Sequence, residues 1–152
     1  MTNQKTLLLV EDDPIDAQFI LDEFNTIPGN FQIRVVDDGL VAMQYLIGTC
    51  KYSDRQRYPV PDLILLDLQL PYMNGFQFLE WLRTQASMPQ RVIPVVVVAG
   101  SRLPEQVTRV YELGANAYLF KPVDAREFKE SLAAIGTFWT RFAEMPRVAS
   151  RV

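Results

Sequence analysis

The sequence predicts an α/β fold, a doubly wound five-stranded parallel sheet with helices on both faces. Three observations carry the prediction. Leu63-Ile64-Leu65-Leu66 and the stretch Val92 to Val98 are wholly apolar, as strands are when helices cover both sides of a parallel sheet. Apolar runs alternate five times with segments of helical period, which calls for right-handed crossovers. Each run also stops abruptly on charged or turn-forming residues, and open α/β sheets collect ligands at their strands' carboxyl ends.

In chain order, Thr6 to Val10 forms a first strand and meets Glu11-Asp12-Asp13-Pro14. Asp13 before Pro14 reads as N-cap and first helical position, with Asp16 favoured in the first turn by the helix dipole. The helix runs to about Asn25 on a buried stripe of Ile15, Phe19, Ile20 and Phe24. After Pro28-Gly29-Asn30 comes a strand, Phe31 to Val36, then Asp37-Asp38-Gly39 and a helix from about Leu40 to Ile47. Gly48 to Pro61 has no apolar period and reads as a solvated excursion.

The central strand, Leu63 to Leu66, delivers Asp67. Pro71 to Gly75 turns the chain into a helix from about Phe76 to Arg83, burying Phe76, Leu79 and Leu82. The fourth strand, Val92 to Val98, leads into Ala99-Gly100-Ser101, where Ser101 is expected to cap the helix opened by Pro104 and Glu105. Gly114 suits the left-handed position that ends that helix. The fifth strand, Ala117 to Phe120, delivers Lys121-Pro122, whose peptide bond is open to either isomer.

The bulk numbers narrow the chemistry. The 152 residues, 49% hydrophobic, suffice for one core and suit a single domain, expected over residues 1–145 with a frayed tail from 146 to 152. A net charge of -3 offers no general attraction to nucleic acid or an anionic membrane. Cys50 stands alone and there is no histidine, which removes internal disulfides, imidazole catalysis and most zinc sites. With neither a signal-peptide core nor an apolar run near the ~20 residues of a membrane span, a soluble cytoplasmic protein is expected.

Glu11 and Asp12, Asp67 and Lys121 therefore share one edge of the sheet. Singly they read as loop acids, a turn-forming Asp and a surface lysine. Together, three carboxylates and one ammonium suit a hard divalent cation. Mg²⁺ needs only one or two carboxylates beside a carbonyl and waters, so Asp12 and Asp67 are the expected direct ligands, with Glu11 holding a metal-bound water and the Gln69 backbone carbonyl completing the shell. A metal and a lysine flanking Asp67 are what a phosphoryl acceptor requires.

Val10-Glu11-Asp12-Asp13, Leu66-Asp67 with Pro71-Tyr72-Met73-Asn74-Gly75, and Tyr118-Leu119-Phe120-Lys121-Pro122 resemble, in order and spacing, the receiver domain of two-component response regulators. The resemblance covers nearly the whole chain. It implies the flavodoxin-like strand order 2-1-3-4-5, a phosphoacceptor role for Asp67, and a sensor histidine kinase as phosphodonor. Tyr45-Leu46-Ile47-Gly48, Ser101-Arg102, the segment Tyr111 to Tyr118 and Phe138-Trp139 are similar to single-domain regulators that partner cyanobacterial phytochromes, which implies a phytochrome as that kinase.

One position departs from the family pattern. Receivers usually end the fourth strand on Thr or Ser, whose hydroxyl bonds the phosphoryl group; here the residue is Ala99. A methyl donates no hydrogen bond, so a weakened or rewired coupling to Tyr118 is expected, with Ser101 as a candidate substitute.

Asp124-Ala125-Arg126-Glu127 resembles a capping box. Phe128, Leu132, Ile135, Trp139 and Phe142 then follow at four- and three-residue steps. One face cannot bury them all beside Phe138, so Phe138, Trp139 and Phe142 are expected to contribute, with the side of the fourth helix, to a homodimer. Two other readings compete. One is a phosphorylation-independent dimeric scaffold, favoured by Ala99. The other is a phosphohydrolase using Asp67 as nucleophile, disfavoured because Gln69 stands where a second Asp would serve as acid and base.

Overall fold

A computed structural model describes residues 4–29 and 31–146. Of the expected tail, 146–152, residues 147–152 lie outside the described residues. Five parallel strands, β1 (Lys5–Val10), β2 (Phe31–Val36), β3 (Leu63–Leu66), β4 (Val95–Ala99) and β5 (Ala117–Phe120), form one sheet in the order β2-β1-β3-β4-β5. The helices are α1 (Pro14–Asn25), α2 (Gly39–Ile47), α3 (Gly75–Thr84), α4 (Pro104–Glu112) and α5 (Ala125–Thr137). The doubly wound architecture and its strand order agree with the expectation from sequence.

Alternation along the strands divides the core into two layers. Leu8, Val10, Ile64, Leu66, Val95 and Val97 meet Ala42, Leu46, Phe78, Leu79, Leu82 and Val110 of α2, α3 and α4. Leu7, Leu9, Leu63, Leu65, Val96 and Val98 meet Ile20, Phe24, Phe128 and Leu132 of α1 and α5. Every β3 side chain is fully buried, consistent with a central strand covered on both faces.

Several boundaries differ from expectation for local reasons. Ile15 is 79% exposed: about 140° from Ile20 at 100° per residue, it falls off the stripe of Ala17, Ile20 and Phe24. Phe78 takes the buried place expected for Phe76, which is half-buried beneath the Arg109 guanidinium, 4.3 Å from its ring centroid. Residues 90–92 form a short 3-10 turn before Pro94, so β4 starts at Val95 and includes Ala99. Among the described residues, the cis X-Pro bond is Met88–Pro89 rather than Lys121–Pro122.

The residue 48–61 segment is not a solvated excursion throughout. Tyr52 and Val60 are buried, and Tyr45 stacks edge-on or tilted with Tyr52 and Tyr58 while its hydroxyl donates to the Pro59 carbonyl at 2.9 Å. Arg55 donates to the Tyr45 and Leu46 carbonyls at 2.8 Å each, closing the end of α2. At the other end of the chain, α5 widens after Thr137 into a π-helical turn, Phe138–Phe142. The regular seam therefore breaks. Trp139 is half-buried against the α1/α5 core layer, whereas Phe138 and Phe142 are 49% and 64% exposed.

Candidate functional site

The site is a consequence of register. Val10 pairs with Leu66, and the Asp67 N–H donates to the Val10 carbonyl at 3.0 Å, so β1 and β3 end side by side. Across the sheet, Ala99 pairs with Phe120 and the Lys121 N–H donates to the Ala99 carbonyl at 2.8 Å. Glu11 and Asp67 thus leave neighbouring strand ends in step, and Lys121 leaves the same edge of the sheet from β5, two strands from β3, where an open parallel sheet binds its ligands. Gly75 permits the turn after β3, because a Cβ there would stand 2.5 Å from the Asp67 carbonyl oxygen.

Glu11, Asp12 and Asp67 each offer a carboxylate oxygen, and these atoms lie within 4.8 Å of one another. Glu11 and Asp67 are buried while Asp12 is exposed at the mouth. Lys121 closes the inner side: its Nζ donates to Glu11 Oε2 at 2.7 Å and Asp16 Oδ2 at 3.1 Å, and stands 3.7 Å from Asp67 Oδ2. The cleft, of about 570 Å³, is also lined by Asp13, Gln69, Phe76, Ala99, Gly100, Ser101 and Gln106. A larger open cleft of about 640 Å³ runs along Val35, Val41 and Tyr52, away from these carboxylates.

The charges do not balance. Burial pushes Glu11 up from 4.5 to about 7; the Lys121 hydrogen bond opposes this and the Asp67 anion adds to it. Burial alone would lower Lys121, but its bond to Glu11, the charges of Asp67 and Glu11, and its bond to Asp16 outweigh that and raise it to about 12. One ammonium faces four carboxylates, so a further cation is electrostatically favoured. The oxygen-only donor set with an exposed Asp12 fits a hard divalent ion that keeps part of its water shell. Without histidine or a nearby thiol, the group is poorly suited to softer metals.

The structure brings together all the expected charged residues. Asp13 caps α1, its Oδ1 accepting from the Ile15 and Asp16 N–H groups at 2.9 and 3.4 Å. Gln69 lies on the rim, with its N–H 3.4 Å from Asp67 Oδ1. Asp16 and Gln106 were not expected at the site. Asp16 sits in the first turn of α1, past its Asp13 N-cap, and reaches Lys121 from there. Ser101 does not cap α4: Leu103 holds that position, and Ser101 Oγ accepts the Leu103 N–H at 3.2 Å in the turn before it. Tyr118 donates its hydroxyl proton to the Ser101 carbonyl at 2.6 Å and accepts from Gln106 Nε2 at 2.9 Å.

Comparison with known proteins places this geometry in a family. The model of the response regulator receiver domain matches residues 7–133. Response regulator Rcp1 of Synechocystis sp. is 32% identical over 142 residues, 93% of this chain and 93% of its own. Among solved structures, the phosphorylated cyanobacterial phytochrome response regulator RcpA superposes with a TM-score of 0.87 at 30% identity, covering 95% of this chain and 99% of RcpA. The Mn(2+)-bound form of Rcp1 gives a TM-score of 0.85 at 31% identity, covering 94% and 99%. With strand order, carboxylate edge and near full-length similarity in agreement, the chain belongs to the response regulator receiver domain family.

Proposed function

We propose that the chain is a single-domain response regulator whose Asp67 accepts a phosphoryl group from a sensor histidine kinase. The observation that carries this reading is the Asp67 carboxylate, 8% exposed at the end of β3 between the Lys121 ammonium and the Glu11/Asp12 pair. In the transfer, an Asp67 oxygen forms a bond to phosphorus as the P–N bond of the donor's phosphohistidine breaks. The departing imidazole keeps the electron pair and takes up a proton. Lys121 would stabilise charge on the phosphoryl oxygens, and burial would keep competing water from Asp67.

Asp12 and Asp67, with Glu11 through a water and the Gln69 carbonyl, would hold Mg²⁺. When bound, the ion supplies further neutralisation of the transferring group. The names of RcpA and of the bacteriophytochrome response regulator RtBRR, 36% identical over 97% of this chain, support a phytochrome as the kinase. We place the reaction in the cytoplasm; among the described residues no helix is long and apolar enough to cross a membrane. Leu103, Tyr111, Phe138 and Phe142, each about half exposed or more, support a homodimer, and a monomeric mass at high micromolar concentration would refute it.

Phosphorylation is tested by intact-protein mass after incubation with phosphoramidate and Mg²⁺. The expected result is a Mg²⁺-dependent gain of one phosphoryl group that Asp67→Asn abolishes. No gain, where a control receiver is phosphorylated, would refute the reading. It would favour the phosphorylation-independent dimeric scaffold, for which the buried Ala99 methyl at the end of β4 is the specific support.

A further inference from the structure

The β4 side of the cleft is poor in hydrogen-bond donors. Ala99, Gly100 and Phe76 line it without a polar side-chain atom. Two polar side chains remain there, Ser101 and Gln106. Ser101 Oγ is engaged with the Leu103 N–H in the turn before α4. Gln106 also lines the cleft, and it is bonded to Tyr118.

The orientation of the Gln106 amide follows from proton bookkeeping at Tyr118. A phenol has one proton, and the Ser101 carbonyl, which can only accept, takes it at 2.6 Å. The 2.9 Å contact to Gln106 must therefore be an N–H donated to the phenol oxygen, which assigns Nε2 to that side. An amide nitrogen carries a second hydrogen. Among the described residues that hydrogen has no partner.

We propose that Gln106 is the side-chain donor that binds the phosphoryl group of Asp67 from the α4 side, while its other N–H stays on Tyr118. The inference rests on the phosphoacceptor reading above. A phosphoryl oxygen is a charged acceptor, and such bonds are shorter and stronger than the neutral kind. Accepting from one N–H polarises the amide and strengthens the other. Phosphorylation would then tighten the Gln106–Tyr118–Ser101 chain and hold the start of α4, where a hydroxyl on β4 is absent. Tyr118 needs no large displacement.

The test follows side-chain signals by NMR in the full chain with phosphoramidate and Mg²⁺, with intact mass measured on the same samples. On phosphorylation, one Gln106 side-chain N–H is expected to move downfield and the Tyr118 ring to shift slightly. In Gln106→Leu the mass gain persists, roughly tenfold slower for one lost charge-assisted bond, and the Tyr118 response disappears. Ser101→Ala behaves as the unchanged protein. An unmoved Gln106 amide in protein whose mass has risen would overturn this inference alone, as would loss of the Tyr118 response in Ser101→Ala but not in Gln106→Leu. Absence of any mass gain in the unchanged chain would overturn the phosphoacceptor reading, and this inference with it.

Discussion

Replacing Lys121 by Met removes the one cation from a cluster of four carboxylates and keeps most of the buried stem. Its cost should depend on pH in a way set by Glu11. A carboxyl whose folded pKa is raised contributes stability that is fully present below its unfolded value, here 4.5, and is lost as pH rises through the folded value, here about 7. Without the ammonium 2.7 Å away, that folded value moves higher still, and the two proteins diverge only between the old value and the new. At pH 6 Glu11 is largely protonated in both, and the loss should be about 1 kcal/mol for hydrogen bonds forgone. Above pH 7 it should grow by ~1.4 kcal/mol per pH unit until the variant's own titration is passed. Urea denaturation in EDTA at pH 6 and pH 8 measures the difference. A Lys121→Met penalty that is equal at the two pH values would refute the reasoning.

Three other outcomes are expected. Mg²⁺ at ten times its Kd should stabilise the chain by about 1.4 kcal/mol, and Asp12→Asn should remove most of that increment with little change in EDTA, because Asp12 is exposed; thermal denaturation with and without the ion decides it. Burial pushes the Tyr45 hydroxyl from 10.0 to about 12, so its contribution is complete below pH 10 and lost as pH rises toward 12; Tyr45→Phe should escape up to ~2.7 kcal/mol of that alkaline loss in denaturant titrations. Ala99→Thr should cost ~1–2 kcal/mol, since Ala99 is 2% exposed and extra atoms there crowd the layer on which Tyr118 packs. A Tyr118 ring signal unchanged by that substitution would contradict the packing described.

The strand pattern and the charged edge were legible because both are local. A continuous apolar run names a buried parallel strand, and the residue after it inherits a place on the ligand-binding edge; Glu11, Asp67 and Lys121 follow at once. Asp16 and Gln106 were not legible, because each acts from a helix whose rotation is fixed by tertiary packing. The same rotation exposed Ile15 and exchanged Phe76 for Phe78. Asn74 and Gln77 form a reciprocal capping box, each donating a backbone N–H to the other's side chain at 2.9–3.0 Å, yet Asn74 read only as part of a turn. At Asp124 no such box forms: its side chain accepts from the Arg126 N–H, one residue short of the N3 position, at 2.8 Å. The 48–61 segment hid its structure because tyrosines and arginines, rather than an aliphatic period, order it.

Two parts of the cleft differ in how far they depend on a ligand. The carboxylate side is held in an unfavourable state by the sheet: β1 and β3 end in step, bonded backbone to backbone at Asp67 N–H and the Val10 carbonyl, so Glu11 and Asp67 cannot separate. Burial, with the Asp67 charge adding to it, raises the Glu11 pKa. That side gains from a cation. On the opposite side the Tyr118 hydroxyl already has a donor and an acceptor, and the second Gln106 N–H is left to bond a ligand. A ligand arriving there finds an existing chain of bonds to extend, with no aromatic ring to recruit. The free energy of binding at this site should therefore come mainly from relief of the acidic half. The conformational response on the α4 side should be small in amplitude and carried by bond strength more than by movement.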